Sequence, residues 1–201
     1  MLPQITKAFF INLDRRKDRR KEIEAELEKA NIEAERFPAI ERNPGILGCG
    51  LSHLAVLKEA RRQGCPNVLI FEDDFEFLVS PEEFRTAIAD FFALETAWDV
   101  LMISYHLNSS AVGPHPMVKK VLDGQTASGY LVNSKFYDTI ITLYEKAMPL
   151  LESTGRHWDY ANDQVWKQLQ PKSNWYALTK RVGRQRASYS DNSNKFMDYG
   201  L

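Results

Sequence analysis

The sequence has few cysteines, no excess of one charge and no long apolar run. Its two cysteines, Cys49 and Cys65, are too few for a disulfide framework, which predicts a reduced, cytoplasmic compartment. Lys and Arg number 26 against 27 Asp and Glu, so the net charge of −1 predicts no nucleic-acid partner. No apolar stretch approaches the ~18 residues of a membrane span, and the first four residues lack the pattern of a signal peptide. We therefore predict no integral membrane segment; peripheral contact with a membrane stays open.

The composition of the chain is that of a globular domain. Hydrophobic residues make up 44% of the chain and charged residues 26%, close to the globular average. These fractions exclude the disordered, collagen-like and coiled-coil classes. A chain of 201 residues is the size of one domain. We predict a single domain over residues 1–201, in which about residues 188–201 form a frayed or extended tail.

Short apolar runs alternate with helical patterns along the chain. Strand patterns cover 8–11, 68–71, 99–103, 128–132 and 175–178, and helical patterns cover 15–30, 52–63, 134–150 and about 162–170. Residues 105–116 are predicted to be mainly a polar loop. The alternation indicates an α/β fold with a mainly parallel sheet covered by helices on both faces. Ligands bind outside the carboxyl ends of such strands, so we expect the chemistry just after Ile11 and just after Phe71.

A run of acids follows the predicted strand 68–71. Glu72, Asp73 and Asp74 repel one another there, and stability alone gives no reason for their position. A divalent cation removes that repulsion, and carboxylate oxygens suit Mg²⁺ or Mn²⁺. Strand alternation turns Glu72 and Asp74 to the same side, which predicts that this pair faces the metal. The alternative is an acidic turn that only caps the next helix.

A basic segment follows the first predicted strand. Asp14 is placed to cap the next helix or to accept a ribose hydroxyl. Arg15 and Arg19 are four residues apart and share one helix face. A helix N-terminus with two such arginines can hold phosphate, because backbone N–H groups and guanidinium groups converge there. The alternative is a solvated, self-paired helix face.

The segment Gly48-Cys49-Gly50 is predicted to be a loop that enters a helix, with Ser52 and His53 in the first helical turn. Such a loop can cradle a hydroxylated or phosphorylated ligand. A dinucleotide-binding loop is excluded, because His53 stands where the third glycine belongs and no strand precedes it. Zinc ligation by Cys49, His53 and Cys65 lacks a fourth ligand and tight spacing, so the cysteines are interpreted as small buried residues.

Two acids flank a predicted helix start near residue 162. Asp163, and after it Asp159, is a candidate general base that removes a proton from an acceptor hydroxyl. The alternative is that Asp159 or Asn162 only caps the helix. The basic stretch 180–186, which includes Arg186, suits a diphosphate better than DNA in a chain without a global positive charge.

The ordered series of these motifs resembles glycosyltransferase family 25, which includes lipopolysaccharide-type and collagen hydroxylysine galactosyltransferases. The blocks that carry the resemblance are residues 10–15 with Arg19, 36–39, 48–53, 69–74, 98–99, 129–130, 163–166 and 185–191. The resemblance implies a GT-A fold, which is a Rossmann-type three-layer α/β/α sandwich with a mixed, mainly parallel sheet. It also implies inverting transfer from a nucleotide sugar, commonly UDP-galactose.

The resemblance also implies a metal, Mn²⁺ or Mg²⁺, held by the Asp-x-Asp-like element Glu72-Asp73-Asp74. Added to the residue-level interpretation, it gives an expected site. The expected donor-binding residues are Asn12, Leu13, Asp14, Arg15, Arg19, Ser52, His53, Asp73 and Arg186. The expected metal ligands are Glu72 and Asp74.

The sequence thus predicts a metal-dependent hexosyltransferase that uses a UDP-sugar donor and a hydroxyl of a saccharide or hydroxylated peptide. Two other classes stay open. One is a catalytically silent nucleotide-sugar binding module. The other is a metal-dependent phosphohydrolase, although its haloacid-type pattern fails because Phe75, Glu76 and Phe77 follow Asp74.

Overall fold

The computed structural model describes residues 2–190 and 195–197. The strands are β1 (Ala8–Asn12), β2 (Glu35–Pro38), β3 (Asn67–Glu72), β4 (Phe75–Phe77), β5 (Val100–Met102), β6 (His106–Val112), β7 (Val118–Gln125), β8 (Gly129–Asn133), β9 (Trp175–Leu178), β10 (Gly183–Gln185), β11 (Ser188–Ser190) and β12 (Lys195–Met197). The helices are α1 (Lys17–Ala30), α2 (Gly45–Arg62), α3 (Pro81–Ala93), α4 (Tyr137–Thr154), α5 (His157–Tyr160) and α6 (Asn162–Val165).

An eight-stranded sheet forms the middle layer, in the order β2-β1-β3-β8-β5-β9-β7-β6. The pairs β1–β2, β1–β3 and β5–β9 are parallel, and the other neighbours are antiparallel. Only β8 and β7 therefore run against the remaining strands, so the expected mixed, mainly parallel sheet is confirmed. Two short ladders, β4–β10 and β11–β12, stand beside it.

Helices cover both faces of the sheet, because its central strands are apolar on both sides. In β3, Val68 and Ile70 face α2 and α4, whereas Leu69 and Phe71 face α1 and α3. All four side chains are fully buried. A strand buried on both faces reads as a continuous apolar run, which is why this segment was recognisable in the sequence. The three-layer α/β/α fold is confirmed.

The register of the sheet sets the two predicted sites side by side. Strands β1 and β3 are parallel neighbours, with Phe10 opposite Phe71 and Ile11 opposite Glu72. Asn12 therefore ends β1 next to the point where the acidic run leaves β3. Two segments that are 60 residues apart in sequence meet because their strands end at the same edge of the sheet.

Helix α2 differs from the sequence prediction. It begins at Gly45, so the segment Gly48-Cys49-Gly50 is helical and His53 lies in the middle of the helix. Glycine disfavours a helix by about 1 kcal/mol relative to alanine, but here tertiary packing requires it. A Cβ on Gly48 would collide with the backbone carbonyl of Ile40. The helix therefore begins nearly two turns earlier than the pattern predicted, which changes the neighbours of Cys49.

The structure also describes parts of two other segments for which the sequence made predictions, the polar loop 105–116 and the C-terminal tail. The predicted polar loop 105–116 contains strand β6, which lies at the edge of the sheet and whose last five residues are exposed. Because these residues face solvent, the segment lacks the alternation of apolar and polar residues that identifies a strand in the sequence. In the C-terminal segment the structure describes the β11–β12 ladder, while residues 191–194 and 198–201 lie outside the described residues. The single domain stays a prediction. Among the described helices, none is both long and apolar enough to cross a bilayer.

The ring of Phe75, directly after the acidic run, packs on two glycines and yields a test of the fold. A Cβ on Gly129 would lie 2.6 Å from the Phe75 ring. We expect Gly129→Ala to lower the free energy of unfolding by about 1–3 kcal/mol, as overpacked cores do. Urea denaturation measures this change. Adding Phe75→Leu should relieve the collision, so the two losses should be less than additive; strict additivity would contradict the proposed contact.

Candidate functional site

The acidic run forms a buried turn whose aspartates share one arginine. Asp73 and Asp74 are 8% and 5% exposed. The Arg19 guanidinium, on the first turn of α1, lies 3.0 Å from Asp73 and 3.1 Å from Asp74. Asn12, at the end of β1, donates a further hydrogen bond of 2.7 Å to Asp73. Part of the repulsion that the sequence assigned to a metal is therefore relieved by groups of the chain itself.

The compensation at this turn is incomplete. Burial, followed by the charge of Glu72, raises the pKa of Asp74 from 3.8 to about 7, although Arg19 acts in the opposite direction. Burial also raises the pKa of Asp73. Asp74 Oδ2 accepts a hydrogen bond of 3.1 Å from Gln185, whereas its buried Oδ1 has no hydrogen-bond partner among the described residues. The turn therefore carries more negative charge than its neighbours balance.

Glu72 faces helix α2. Its Oε1 atom lies 3.0 Å from His53 Nε2 and 3.4 Å from Cys49 Sγ, and His53 Nδ1 lies 2.8 Å from the Tyr130 hydroxyl. Burial opposes the charge of Glu72, but the contacts with His53 and Cys49 and the charge of Arg19 outweigh it and lower the pKa. Donor atoms of Cys49, His53 and Glu72 all lie within 4.8 Å of one another, a spacing that a metal ion can bridge.

All three carboxylates line one cavity of about 310 Å³, which we call the first cavity. Strand alternation does not extend through the run, because β3 ends at Glu72 and the chain turns at residues 73 and 74. The predicted residues that this cavity brings together are Asn12, Leu13, Arg15, Arg19, Ser52, His53, Glu72, Asp73 and Asp74. The Ser52 hydroxyl donates to the Gly48 carbonyl at 2.7 Å and accepts from the Ile40 amide at 2.8 Å.

A second cavity of about 250 Å³ adjoins the first, and Cys49, Glu72 and Gln185 line both. Asp163 lines this second cavity and accepts a hydrogen bond of 3.2 Å from the Thr126 amide. Burial raises the pKa of Asp163, and the charge of Glu72 adds to the shift. Thr126 has φ of 81°, in the region that L-residues seldom adopt, and such strain concentrates at functional sites.

Asn162 also lines the second cavity and is 2% exposed. Its Nδ2 atom is buried without a hydrogen-bond partner in the described part of the chain. A buried, unpaired amide donor costs about 1–3 kcal/mol. A ligand in the cavity that accepts a hydrogen bond would remove this cost, so the second cavity has the chemistry of a polar binding site.

Three predicted residues lie outside both cavities. Asp14 is exposed and pairs with Arg36 at 2.5 Å. Arg186 pairs with Glu22 at 2.7 Å, although its backbone amide donates to the Asp74 carbonyl. Asp159 pairs with Arg156 at 2.5 Å. The partners of Asp14 and Arg186 are distant in the sequence, whereas Asp159 pairs with a residue three positions before it.

Sequence reasoning missed several lining residues. Gln185 could have been predicted as a lining residue, since it falls in the basic stretch 180–186. Residues 41–43, on the loop after β2, carried no signal, and neither did Gln125, the last residue of β7, nor Thr126, which follows it. Cys49 was interpreted as a small buried residue, and only the extension of α2 shows that it and His53 lie one helical turn apart.

Comparison with solved structures supports the fold. The protein A197 from STIV is similar at 14% identity and a TM-score of 0.52, over 96% of this chain and 93% of that chain. A glycosyltransferase involved in the glycosylation of the major capsid of PBCV-1 is similar at 8% identity and a TM-score of 0.56, over 94% and 96%. No protein-family model and no curated protein sequence matches. At these identities the likeness shows the shared GT-A-like fold.

The electrostatics of Asp74 predict a pH-dependent stability. A carboxyl group with its pKa raised from 3.8 to about 7 binds its proton more tightly in the folded chain than in the unfolded chain. This group therefore lowers the stability as pH rises from about 4 to about 7. We expect Asp74→Asn, which removes the buried charge but keeps the shape, to unfold several degrees above the wild type at about pH 8. The gain should vanish towards about pH 4.

Thermal unfolding in the presence of a chelator measures this difference. Asp138→Asn is the matched control, because Asp138 is an exposed carboxylate paired with Arg61 on the surface. The control should lack the pH-dependent gain. A variant Asp74→Asn that is less stable than the wild type at about pH 8 would refute the charge excess at the turn.

Proposed function

We propose that the chain is a metal-dependent glycosyltransferase of the family 25 type. In this proposal the enzyme transfers a hexose from a UDP-sugar to a hydroxyl of a saccharide or hydroxylated peptide, with inversion at the anomeric carbon. By resemblance to family 25, the proposed hexose is galactose. The two free cysteines agree with a cytoplasmic location. The glycosyltransferase among the structural neighbours and the ordered motif series support the proposal.

The observation that carries this proposal is the junction of two polar cavities at Glu72. Inverting transfer needs the donor and the acceptor on opposite sides of the anomeric carbon. The first cavity lies at the carboxyl ends of parallel strands β1 and β3, where α/β folds bind nucleotides. The second contains a carboxylate with a raised pKa and an unpaired amide. We therefore assign the donor to the first cavity and the acceptor to the second.

The first cavity has charges suited to a diphosphate. Arg15 and Arg19 lie on its wall, one on each side of the start of α1. Guanidinium groups bind phosphate oxygens through paired N–H donors. As UDP leaves, negative charge grows on its diphosphate, and arginines already in place stabilise that charge more strongly than they stabilise the bound donor.

The acidic turn fits a hard divalent cation. It offers carboxylate oxygens, it holds excess negative charge, and Asp74 Oδ1 is buried without a hydrogen-bond partner among the described residues. Asp74, with Glu72 directly or through water, would hold Mn²⁺ or Mg²⁺. Such an ion, when bound, would supply positive charge for the departing diphosphate.

Asp163 is the proposed general base. Its raised pKa makes it a better proton acceptor near neutral pH than an ordinary carboxylate, as general-base catalysis requires. The Asp163 carboxylate takes the proton of the acceptor hydroxyl as that oxygen bonds to the anomeric carbon. The bond from that carbon to the diphosphate oxygen breaks, and its electron pair leaves with UDP. Asn162, through its unpaired Nδ2, orients the acceptor.

One observation favours the alternative of a silent nucleotide-sugar binding module. Arg19 contacts both Asp73 and Asp74, so its guanidinium supplies positive charge at the position where a metal is expected. In such a module the donor would bind, but the charge of the leaving group would lack the support of a divalent ion.

A screen of UDP-sugars separates these two functions. We expect UDP with Mn²⁺ to raise the unfolding temperature, because ligands that bind only the folded state stabilise it. We expect UDP release from one donor, lost with chelator and reduced at least ~100-fold in Asp74→Asn, by analogy with the loss of a transition-state contact. Asp138→Asn is the matched control. Stabilisation without UDP release would favour the silent module, and no response to any UDP compound would refute both.

The assignment of the base has its own test. We expect Asp163→Asn to lower kcat for transfer by about 10²–10⁴-fold, the usual contribution of a general base, while the Kd for UDP changes little. Asp159→Asn, measured in parallel, discriminates the second candidate, whose carboxylate pairs with Arg156 outside both cavities. Normal transfer by Asp163→Asn together with a loss in Asp159→Asn would reassign the role.

A further inference from the structure

Cys49, His53 and Glu72 form a compact set of three different donor groups. Cys49 and His53 are four residues apart on α2, so their side chains lie on the same helix face. Glu72, the last residue of β3, reaches them with one atom, Oε1, at 3.4 Å from Sγ and 3.0 Å from Nε2. The extension of α2 through the glycine segment creates this arrangement.

Two of the three separations between these donor atoms are close to the edges of a tetrahedral zinc site. Zn²⁺ binds histidine nitrogen at about 2.0–2.1 Å, carboxylate oxygen at about 2.0–2.2 Å and cysteine sulfur at about 2.3 Å. Tetrahedral angles then separate nitrogen from oxygen by about 3.3 Å and sulfur from oxygen by about 3.5 Å. These two observed separations differ from those values by a few tenths of an ångström, and the third, between Cys49 Sγ and His53 Nε2, is at most 4.8 Å.

The histidine is also oriented as metal-binding histidines are. Its Nε2 atom points at Glu72, while Nδ1 lies 2.8 Å from the hydroxyl of Tyr130, which is fully buried. A polar partner on the second ring nitrogen fixes the ring and its tautomer and is a regular feature of metal sites. This contact is independent of the three-donor cluster, because Tyr130 comes from β8.

We propose that Cys49, His53 and Glu72 bind a divalent ion of intermediate softness, such as Zn²⁺, and leave its fourth position open. Thiolate and imidazole ligands select this class of metal over Mg²⁺ or Mn²⁺. On binding, the thiol proton passes to solvent, and the thiolate and carboxylate together balance the charge of the ion. Cys49 and Glu72 line both cavities, so a ligand in either cavity can reach the open position.

This site differs from the carboxylate set of the proposed function, although both include Glu72. Its two other donors come from α2 rather than from the acidic turn, and its existence does not depend on sugar transfer. A hard ion at Asp74 has only oxygen ligands, whereas an ion at this site has a sulfur ligand. The presence or absence of a sulfur ligand therefore distinguishes the two metal sites.

Cobalt(II) provides the test, because a thiolate bound to Co²⁺ gives a near-ultraviolet charge-transfer band that oxygen and nitrogen ligands do not give. The full chain is freed of metal and titrated with Co²⁺. We expect the band to saturate at one equivalent and to disappear when Zn²⁺ is added. Cys49→Ser should abolish the band, and the matched control Cys65→Ser, which changes the other free cysteine, should retain it.

The proposal fails if Co²⁺ binds without the band, if Cys49→Ser keeps the band, or if calorimetry detects no binding of Co²⁺ or Zn²⁺. Circular dichroism of each variant shows whether it is folded, and Glu72→Gln, which keeps the shape of the side chain, should weaken Zn²⁺ binding at least tenfold. Asp74→Asn should retain the band. In the wild type, an intact band without UDP release from any donor would count against the proposed function alone, and UDP release without the band would count against this site alone.

Discussion

The ion pair between Arg19 and the two aspartates of the acidic turn is the contact on which the site depends. It joins the first turn of α1 to the turn that follows β3, where both aspartates are buried. Removing the shared arginine of such a buried cluster would cost about 3–5 kcal/mol, because the carboxylates would be left without compensation. The first cavity is therefore lined by groups that hold the fold together.

The charges at this edge of the sheet do not cancel within the chain. Glu72, Asp73 and Asp74 bring three carboxylates, and Arg19 balances at most one of them. At neutral pH the remaining charge is reduced by a proton on Asp74, whose pKa is raised to about 7. A cation would compete with that proton, since both bind the same oxygens. Protonation and cation binding are thus linked at this turn.

The sequence predicted the contacts that follow from strand topology alone. It did not predict the contacts and helix boundaries that depend on packing between distant segments. The ends of β1 and β3 could be paired because parallel strands end at the same edge, and Asn12 and Asp73 do meet there. The start of α2 could not be found, because local propensity places Gly48 in a loop, whereas the close approach of Ile40 requires glycine within the helix. For the same reason the sequence did not predict that Asp14 pairs with Arg36 and that Arg186 pairs with Glu22.

Glu72 and Asp163 show how the same chemical group acquires two different proton affinities. Both lie at the second cavity, and burial acts on both. Glu72 receives contacts from His53 and Cys49 that keep it ionised, which makes it a weak proton acceptor and a suitable ligand for positive charge. At Asp163, burial and the charge of Glu72 outweigh the hydrogen bonds from Thr126 and Gln164, so the pKa is raised and the affinity for a proton grows. Where two carboxyl groups have pKa values shifted in opposite directions, the group with the raised pKa is the better candidate for proton transfer. The opposite shifts of Glu72 and Asp163 therefore favour Asp163 as the proposed general base.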